Sequence, residues 1–170
     1  MPRAVASGVA FANLTSGSPD EGRAIAAELA LLCGGEGVAA SYVDGAYCGP
    51  PAKARCGGGQ LFVSSGDGGG VVEKWRGVLA TLGDVTFCGD VGASRALDYA
   101  VVDLALVNLI AYSANAAMLA REGVDVNLFA REAAKRLATT PAAIETAARR
   151  MDASRDETAY ADAYATLFPK

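Results

Sequence analysis

The sequence predicts an α/β unit followed by an all-α lobe, with helix as the main element overall. Three observations support this fold class. Short apolar runs alternate with amphipathic stretches over the first ninety or so residues. Glycine-rich turns separate these stretches. Later in the chain the pattern changes to long helical stretches with few Gly or Pro breaks. We therefore predict one domain over residues 1–91 and a second over residues 92–170.

The first elements form a strand, a turn and a helix. Val9 to Leu14 is an apolar run of strand length. Ser18 can cap the helix that follows, Glu21 completes a capping box, and Pro19 suits the first helical position. Such a unit is typical of a Rossmann-type sheet, but the sequence contains no GxGxxG fingerprint for a dinucleotide. The first domain is therefore predicted to be a remnant of a Rossmann-type sheet.

Further strands and helices follow in the first domain. A second strand is expected to end near Asp44 and to lead into a loop, and "PAKARCGGG" is expected to be a surface loop. The remaining elements predicted here are a strand at 61–65, a helix at 71–82 ended by Gly83, and the strand "VTFCG".

The second domain begins with a long helix, predicted from Ser94 to about Glu122 and ended by Gly123. Its apolar residues cover almost the whole circumference, so we expect it to be buried between lobes or subunits. Asp98 and Asp103 interrupt the apolar run and argue against a transmembrane span. Further helices are predicted at 126–138, 141–151 and 155–167.

Composition excludes several classes of function. The net charge is −4 and there is no Lys/Arg cluster, so neither nucleic acid nor a membrane is expected as a partner. The absence of histidine excludes Ser-His, Cys-His and His-metal sites, and no metal is expected. The four cysteines form no CxxC pair, and no secretion signal is visible. We therefore expect reduced cysteines and a cytoplasmic protein.

Asp98, in the first turns of the long helix, is the main candidate for acid–base chemistry. Burial favours the neutral acid, whereas the helix N-terminus favours the carboxylate. A protonated Asp98 can donate a proton, and an ionised one can bind an amine or iminium cation. The alternative is a structural Asp98, satisfied by backbone amides or paired with Arg95. Asp103 lies about 140° around the helix from Asp98, so the two cannot form a carboxylate pair.

The chain resembles the imine reductases of the β-hydroxyacid dehydrogenase (6-phosphogluconate dehydrogenase-like) superfamily. Four segments carry the resemblance in the family's order: "NLTSGSPDEGRA", "YVDGAYCGPP", "LFVSSGD" with "LATLGDVTFCGD", and "GASRALDYAVVDLAL". Together they span most of residues 9–122. The resemblance begins late in the family's cofactor domain, which implies a truncated relative without the N-terminal dinucleotide-binding half. The opening Met1-Pro2-Arg3 favours a genuine start of the chain.

The resemblance assigns roles on the long helix. The wider superfamily has a Gly-x-Gly-x-x-x-Lys-x-x-x-Asn pattern whose lysine is catalytic. Gly92 matches the first glycine, whereas Asp98 occupies the lysine position and Val102 the asparagine position. Imine reductases also replace this lysine, often by Asp or Tyr, so the resemblance implies that Asp98 is catalytic. Tyr99 adjoins it and is predicted to be catalytic as a hydroxyl donor.

The resemblance also implies a set of substrate-binding residues. Asn13, Thr15 and Ser16 match the turn beside the nicotinamide, and Tyr47 and Cys48 match the loop that lines the substrate cleft. Two alternatives stay open. The first three residues can simply order the turn, and Tyr47 and Tyr99 can each close the edge of the core.

Three functions are compatible with these features. The first is a cofactor-independent enzyme that reuses the imine reductase cleft for cyclisation, isomerisation or elimination of an imine, enamine or keto compound in secondary metabolism. The second is an NADPH-dependent imine reductase or β-hydroxyacid dehydrogenase, present as a fragment or completed by a partner chain. The third is a non-catalytic dimerising module that binds a ligand. The resemblance implies a homodimer through the long helix in each case.

Overall fold

A computed structural model describes residues 10–33 and 41–154 of the 170-residue chain. The chain divides into two compact units, one ending at Asn108 and the other beginning at Leu109. The long helix contributes its first half to the first unit and its second half to the second unit.

The first unit is a four-stranded mixed sheet with helices. Its elements are β1 Phe11–Asn13, α1 Pro19–Cys33, β2 Tyr42–Cys48, α2 Pro51–Ala54, β3 Gly59–Ser64, α3 Gly70–Leu79, β4 Gly83–Phe87 and the start of α4, Ala93–Arg121. The strand order is β1-β2-β3-β4. The first and last pairs are parallel, and β2 and β3 are antiparallel. The predicted fold class, part of a Rossmann-type sheet followed by a long helix, is confirmed.

The start of α1 follows the predicted capping box. The Ser18 amide donates to Glu21 Oε2 at 2.7 Å, and the Glu21 amide donates to Ser18 Oγ at 3.2 Å. Two otherwise unpaired amides are thereby satisfied. The end predicted for the long helix is also confirmed, since Gly123 adopts φ 75°, a conformation that favours glycine.

Three predicted segments differ from the structure. Strand β2 does not end near Asp44 but continues to Cys48, because it pairs with β3 as far as Cys48 opposite Gln60. The expected loop "PAKARCGGG" begins with the short helix α2. Helix α3 ends at Leu79, and Gly83 opens β4 instead of ending the helix. The helix predicted at 155–167 lies outside the described residues.

An apolar core lies between the sheet and α3. Its buried members are Val43, Leu61, Val63, Val71, Val72 and Leu79. Side chains alternate between the faces of a strand, so the neighbours of these residues on β2 and β3 point to the other face. That second face carries Asp44 and Ser64, which lie opposite each other in the antiparallel pair.

The second unit consists of the end of α4 with helices α5 Val126–Leu137 and α6 Thr140–Ser154. Asp125 caps α5 by accepting from the Asn127 amide at 2.9 Å. The rings of Tyr112 and Phe129 stack with their centroids 5.0 Å apart.

The described part of the chain leaves the long helix α4 largely exposed, so of the two expected arrangements, burial between lobes is not seen and burial between subunits stays a prediction. Leu109 is 61% exposed and Ile110 is 67% exposed, because the described chain places no second layer over this stretch. By length and composition alone α4 is able to cross a membrane. This is weak evidence, since the core helix of a soluble protein passes the same criteria.

Candidate active site

A cleft of about 570 Å³ lies where β1 ends and α1 begins, beside the first turns of α4. In sheets of this kind the carboxyl ends of parallel strands border the ligand site. The lining residues are Ser16, Gly17, Ser18, Pro19, Arg95, Asp98, Tyr99 and Val102. All of them belong to the first compact unit.

Asp98 is the acidic residue of this cleft and is 7% exposed. Its Oδ2 accepts a long hydrogen bond of 3.4 Å from the Ser16 hydroxyl. Its Oδ1 is buried and has no hydrogen-bond partner among the described residues. The structure therefore brings Asp98, Ser16 and the largely exposed Tyr99 together, as their assignment to one site requires.

Cys48 lies close enough to Asp98 for the two side chains to interact electrostatically. Burial raises the pKa of the Cys48 thiol, and the negative charge of Asp98 raises it further. On β2, Cys48 points to the same face of the sheet as Asp44. A thiol held in its protonated form is a poor nucleophile, and Cys48 is not among the residues that line the cleft, so the structure does not bring this predicted substrate-binding residue to it.

Asn13 and Thr15 bind each other beside the cleft. Asn13 Oδ1 accepts from the Thr15 amide at 3.2 Å and from the Thr15 hydroxyl at 2.7 Å. This pair orders the turn after β1, which was the alternative to a role in binding. Thr15 also lines a smaller adjoining cleft together with Ser16 and Arg95.

Tyr47 is not brought to Asp98. It packs against the apolar core on the α3 face, which by strand alternation is the face opposite to Asp44 and Cys48. Its hydroxyl is buried and has no partner among the described residues. The structure thus agrees with the alternative prediction for Tyr47, in which its side chain closes the edge of the apolar core.

A fully buried Asp44 is the centre of a network that the sequence did not single out. Arg95 Nε donates to Asp44 Oδ1 at 2.8 Å, and the Tyr42 hydroxyl donates to the same oxygen at 3.1 Å. The Gly92 amide donates to Oδ2 at 3.0 Å from a left-handed conformation, φ 94°, that favours glycine. Ser94 Oγ donates to the Asp44 carbonyl at 3.1 Å.

This network corrects the alternative proposed for Asp98. Arg95 pairs with Asp44, 51 residues earlier in the chain, and not with Asp98. A signal for the network was present in "YVDGA", where a carboxylate interrupts an apolar strand. A buried charge must be paired, so such a strand implies a cationic partner elsewhere in the fold.

Tyr42 is a buried member of this network. Burial raises the pKa of Tyr42 to about 12, and the adjacent charge of Asp44 contributes in the same direction. Tyr42 is 1% exposed and keeps its proton as donor to Asp44.

The described residues do not fit the pyrophosphate of a dinucleotide. Such a group binds free amides at a helix N-terminus. At α1 the Glu21 carboxylate and its capping box occupy that place. At α3 the Asp67 carboxylate accepts from the amides of Val71, at 2.7 Å, and Gly69, at 3.2 Å. These carboxylates take the donors and repel an anion.

Comparison with known proteins shows which structures share the fold of this chain. No family model matches the chain, and no curated protein matches it. Solved structures do match. An imine reductase from Myxococcus stipitatus, a V8 variant in complex with NAD⁺, is 27% identical with a TM-score of 0.68, over 85% of this chain and 47% of that one. A reductive aminase from Aspergillus terreus, in complex with NADPH and ethyl-5-oxohexanoate, is 26% identical with a TM-score of 0.65, over 84% and 48%.

An imine reductase from Bacillus cereus BAG3X2 shares the fold, with 21% identity and a TM-score of 0.70 over 84% of this chain and 48% of that one. The chain thus spans about half the length of the structures that it matches. The resemblance to the imine reductases is confirmed: the chain has their scaffold, within the 6-phosphogluconate dehydrogenase-like fold.

Proposed function

We propose that the cleft binds an imine or iminium compound and that Asp98 supplies its proton or its countercharge. One observation carries this proposal: the Asp98 carboxyl group is almost fully buried in the cleft, and its Oδ1 has no partner among the described residues. A buried acceptor without a partner costs stability, and a protonated nitrogen would satisfy it.

The neighbouring side chains suit this role. The Ser16 hydroxyl holds Asp98 Oδ2 and leaves Oδ1 for the ligand. Pro19 and Val102 provide apolar walls, and the Tyr99 hydroxyl can donate to a substrate oxygen or nitrogen. In such surroundings a charge on the ligand is poorly screened, which strengthens its interaction with Asp98.

The overall reaction that the similar structures favour is NADPH-dependent imine reduction. Of the similar proteins compared above, the imine reductase from Myxococcus stipitatus and the reductive aminase from Aspergillus terreus exceed 25% identity, and their structures contain NAD⁺ and NADPH. In such a reaction the described part of this chain would supply the proton for the imine nitrogen, from Asp98. It offers no pyrophosphate site, so a nucleotide would have to be held by residues other than those described.

A second candidate is cofactor-independent proton transfer: cyclisation, isomerisation or elimination at the same cleft. The carboxylates that cap α1 and α3 favour it, because they oppose phosphate binding. Both candidates assign the same role to Asp98, and they differ only in the need for a nucleotide. In the third possibility, a ligand-binding module, Asp98 would bind and not catalyse.

We also propose that a second copy of the chain covers the exposed apolar surface of α4. The exposed residues include Leu104, Leu106, Val107, Leu109 and Ile110, a larger apolar surface than a monomer usually leaves in water. A cytoplasmic homodimer accounts for this surface, and the mass of the purified chain in solution tests it. A monomeric mass would contradict the dimer.

The main experiment separates the two candidate reactions. The purified chain is given 2-methyl-1-pyrroline, first with NADPH, following absorbance of the nucleotide, and then without it in D₂O, following exchange of the carbon-bound protons by NMR. Reduction supports the first candidate. Exchange without nucleotide that is faster than in a sample without protein supports the second, because the imine also exchanges these protons slowly by itself. Calorimetric titration with NADPH is run on the same sample to detect binding of the nucleotide.

Asp98→Asn tests the role of the carboxyl group in either reaction. We expect it to lower the rate by about 10²-fold or more, the usual contribution of a general acid or base. Asp103→Asn is the matched control, because Asp103 is an exposed carboxylate on the same helix. Equal rates for the wild type and Asp98→Asn would overturn the catalytic role and leave the binding module.

A further inference from the structure

Arg95 is a buried cation whose hydrogen-bonding capacity is only partly used. Its side chain is 2% exposed, and Nε is bound to Asp44. Its Nη2 is buried and has no acceptor among the described residues. A guanidinium has five donors in a planar fork, and this one has an unused edge.

The charge of Asp44 is already shared among several donors. The Tyr42 hydroxyl and the Gly92 amide bind the same carboxylate that binds Arg95. Burial alone would lower the pKa of Arg95, but the hydrogen bond and charge of Asp44 outweigh this effect and raise the pKa. Arg95 therefore stays cationic at every physiological pH and can bind a further acceptor.

Arg95 lies in the wall of the cleft that contains Asp98. It lines that cleft and also the smaller one that adjoins it at Ser16. Positions three apart on a helix are neighbours, with their Cβ atoms about 5–6 Å apart. The cleft therefore has a partly unpaired cation and a partly unpaired carboxyl group side by side, each with one buried atom that lacks a partner.

We infer that the cleft is built for an imine that carries a carboxylate on its imine carbon, an α-imino acid. The nitrogen would contact Asp98 Oδ1, and the carboxylate would accept from Arg95 Nη2. In an α-imino acid these two groups are two bonds apart, which matches neighbouring side chains of opposite charge. This inference rests on the proposed function of the cleft, and it narrows the substrate class.

The glycine at position 17 supports a fixed place for this guanidinium. A Cβ on Gly17 would overlap Arg95 Nη1, and a Cβ on Gly22 would lie 2.5 Å from Asp44 Oδ2. The backbone of the turn and of α1 thus approaches the ion pair closely and limits the positions that Arg95 can take. A fixed fork is a selective partner for a carboxylate.

A pair of matched probes tests the inference on the wild-type chain. The affinities of 1-pyrroline-2-carboxylate and 2-methyl-1-pyrroline are measured by calorimetry at pH 7. The two compounds have the same ring, and the first carries a carboxylate where the second carries a methyl group. We expect the carboxylate to improve binding about tenfold or more, as a charge-assisted hydrogen bond would. Equal affinities, or tighter binding of the methyl compound, would overturn the inference.

Arg95→Lys adds a test of the residue. Lysine keeps a cation beside Asp44 but lacks the second edge of the fork. We expect the substitution to lower the affinity for 1-pyrroline-2-carboxylate about tenfold and the affinity for 2-methyl-1-pyrroline by less. Arg76→Lys is the control, since Arg76 is paired with Glu73 on α3, on an element that does not line the cleft. An unchanged preference for the carboxylate in Arg95→Lys would assign that preference to another group.

The outcomes separate this inference from the proposed function. If both imines bind equally and Asp98→Asn weakens both, the proposed function stands and the carboxylate inference fails. If the carboxylate is preferred but Asp98→Asn changes nothing, the role of Asp98 fails instead. Binding of neither imine by the wild type would overturn both.

Discussion

The two faces of the four-stranded sheet come from the same strands but have opposite chemistry. On the α3 face, Val43, Leu61 and Val63 pack into an apolar core. On the α4 face, Asp44 and Ser64 are equally buried but are held by hydrogen bonds and an ion pair. In β2 the change of face takes a single residue, from Val43 to Asp44.

The two faces differ in how precisely they must position their side chains. Apolar burial is non-directional, so the α3 face contributes stability without requiring paired charges or hydrogen-bond partners. The α4 face needs each partner in place, because a buried charge that loses its partner is costly. Its network fixes the start of α4, and with it the position of Arg95 and Asp98 in the cleft.

The largest effect is expected from Arg95→Met, which leaves the Asp44 carboxylate buried without its cation. We expect a loss of about 3–5 kcal/mol in the free energy of unfolding, measured by urea denaturation. Leu61→Ala on the apolar face should cost about 2–5 kcal/mol by the same measurement. The two variants should differ in the cleft: only Arg95→Met should abolish the preference for a carboxylated imine. A loss of that preference in Leu61→Ala would show that the faces are not independent.

A second effect comes from the raised pKa of Tyr42, from 10.0 to about 12. The unfolded chain releases the tyrosine proton first as pH rises, so the folded state loses stability between pH 10 and 12. A shift of about two units corresponds to about 3 kcal/mol, fully present below pH 10. Tyr42→Phe should remove this part of the slope in alkaline urea titrations. An identical slope in the variant would contradict a closed network.

The smallest effect is expected from a pair of glycine variants. In Gly17→Ala the new methyl group would overlap Arg95 Nη1, so we expect a loss of about 1–3 kcal/mol. In Gly77→Ala, within α3, the methyl group meets nothing within 4 Å, and we expect a gain of about 0.5–1 kcal/mol. Thermal unfolding of both variants gives the comparison. Equal melting temperatures would argue against a rigid contact between the turn and Arg95.

Local features of the sequence were sufficient for several parts of the structure. The capping box of Ser18 and Glu21 and the stop at Gly123 depend on contacts within a few residues, and both were predicted. The position of Asp98 in the first turns of the long helix followed from the residues before it. Its place in a cleft with Ser16 was implied by the resemblance and is what the structure shows.

Features that depend on distant residues were missed. The extension of β2 to Cys48 depends on pairing with β3, and the face of Tyr47 follows from that extension. Whether lobes of the same chain or a second subunit would cover α4 could not be predicted, because an apolar composition does not show which chain supplies the covering layer.

By itself the sequence determined the order of the elements, their caps and the residue types available for acid–base chemistry, because these depend on short-range contacts and composition. Only the tertiary structure decided which charge is paired and which has an atom without a partner. Asp44 and Arg95 are 51 residues apart, and the sheet brings them together. That pairing takes Arg95 Nε away from Asp98, so Asp98 Oδ1 is buried without a partner among the described residues. Such a choice between partners is made by packing, which fixes distances that a linear pattern does not contain.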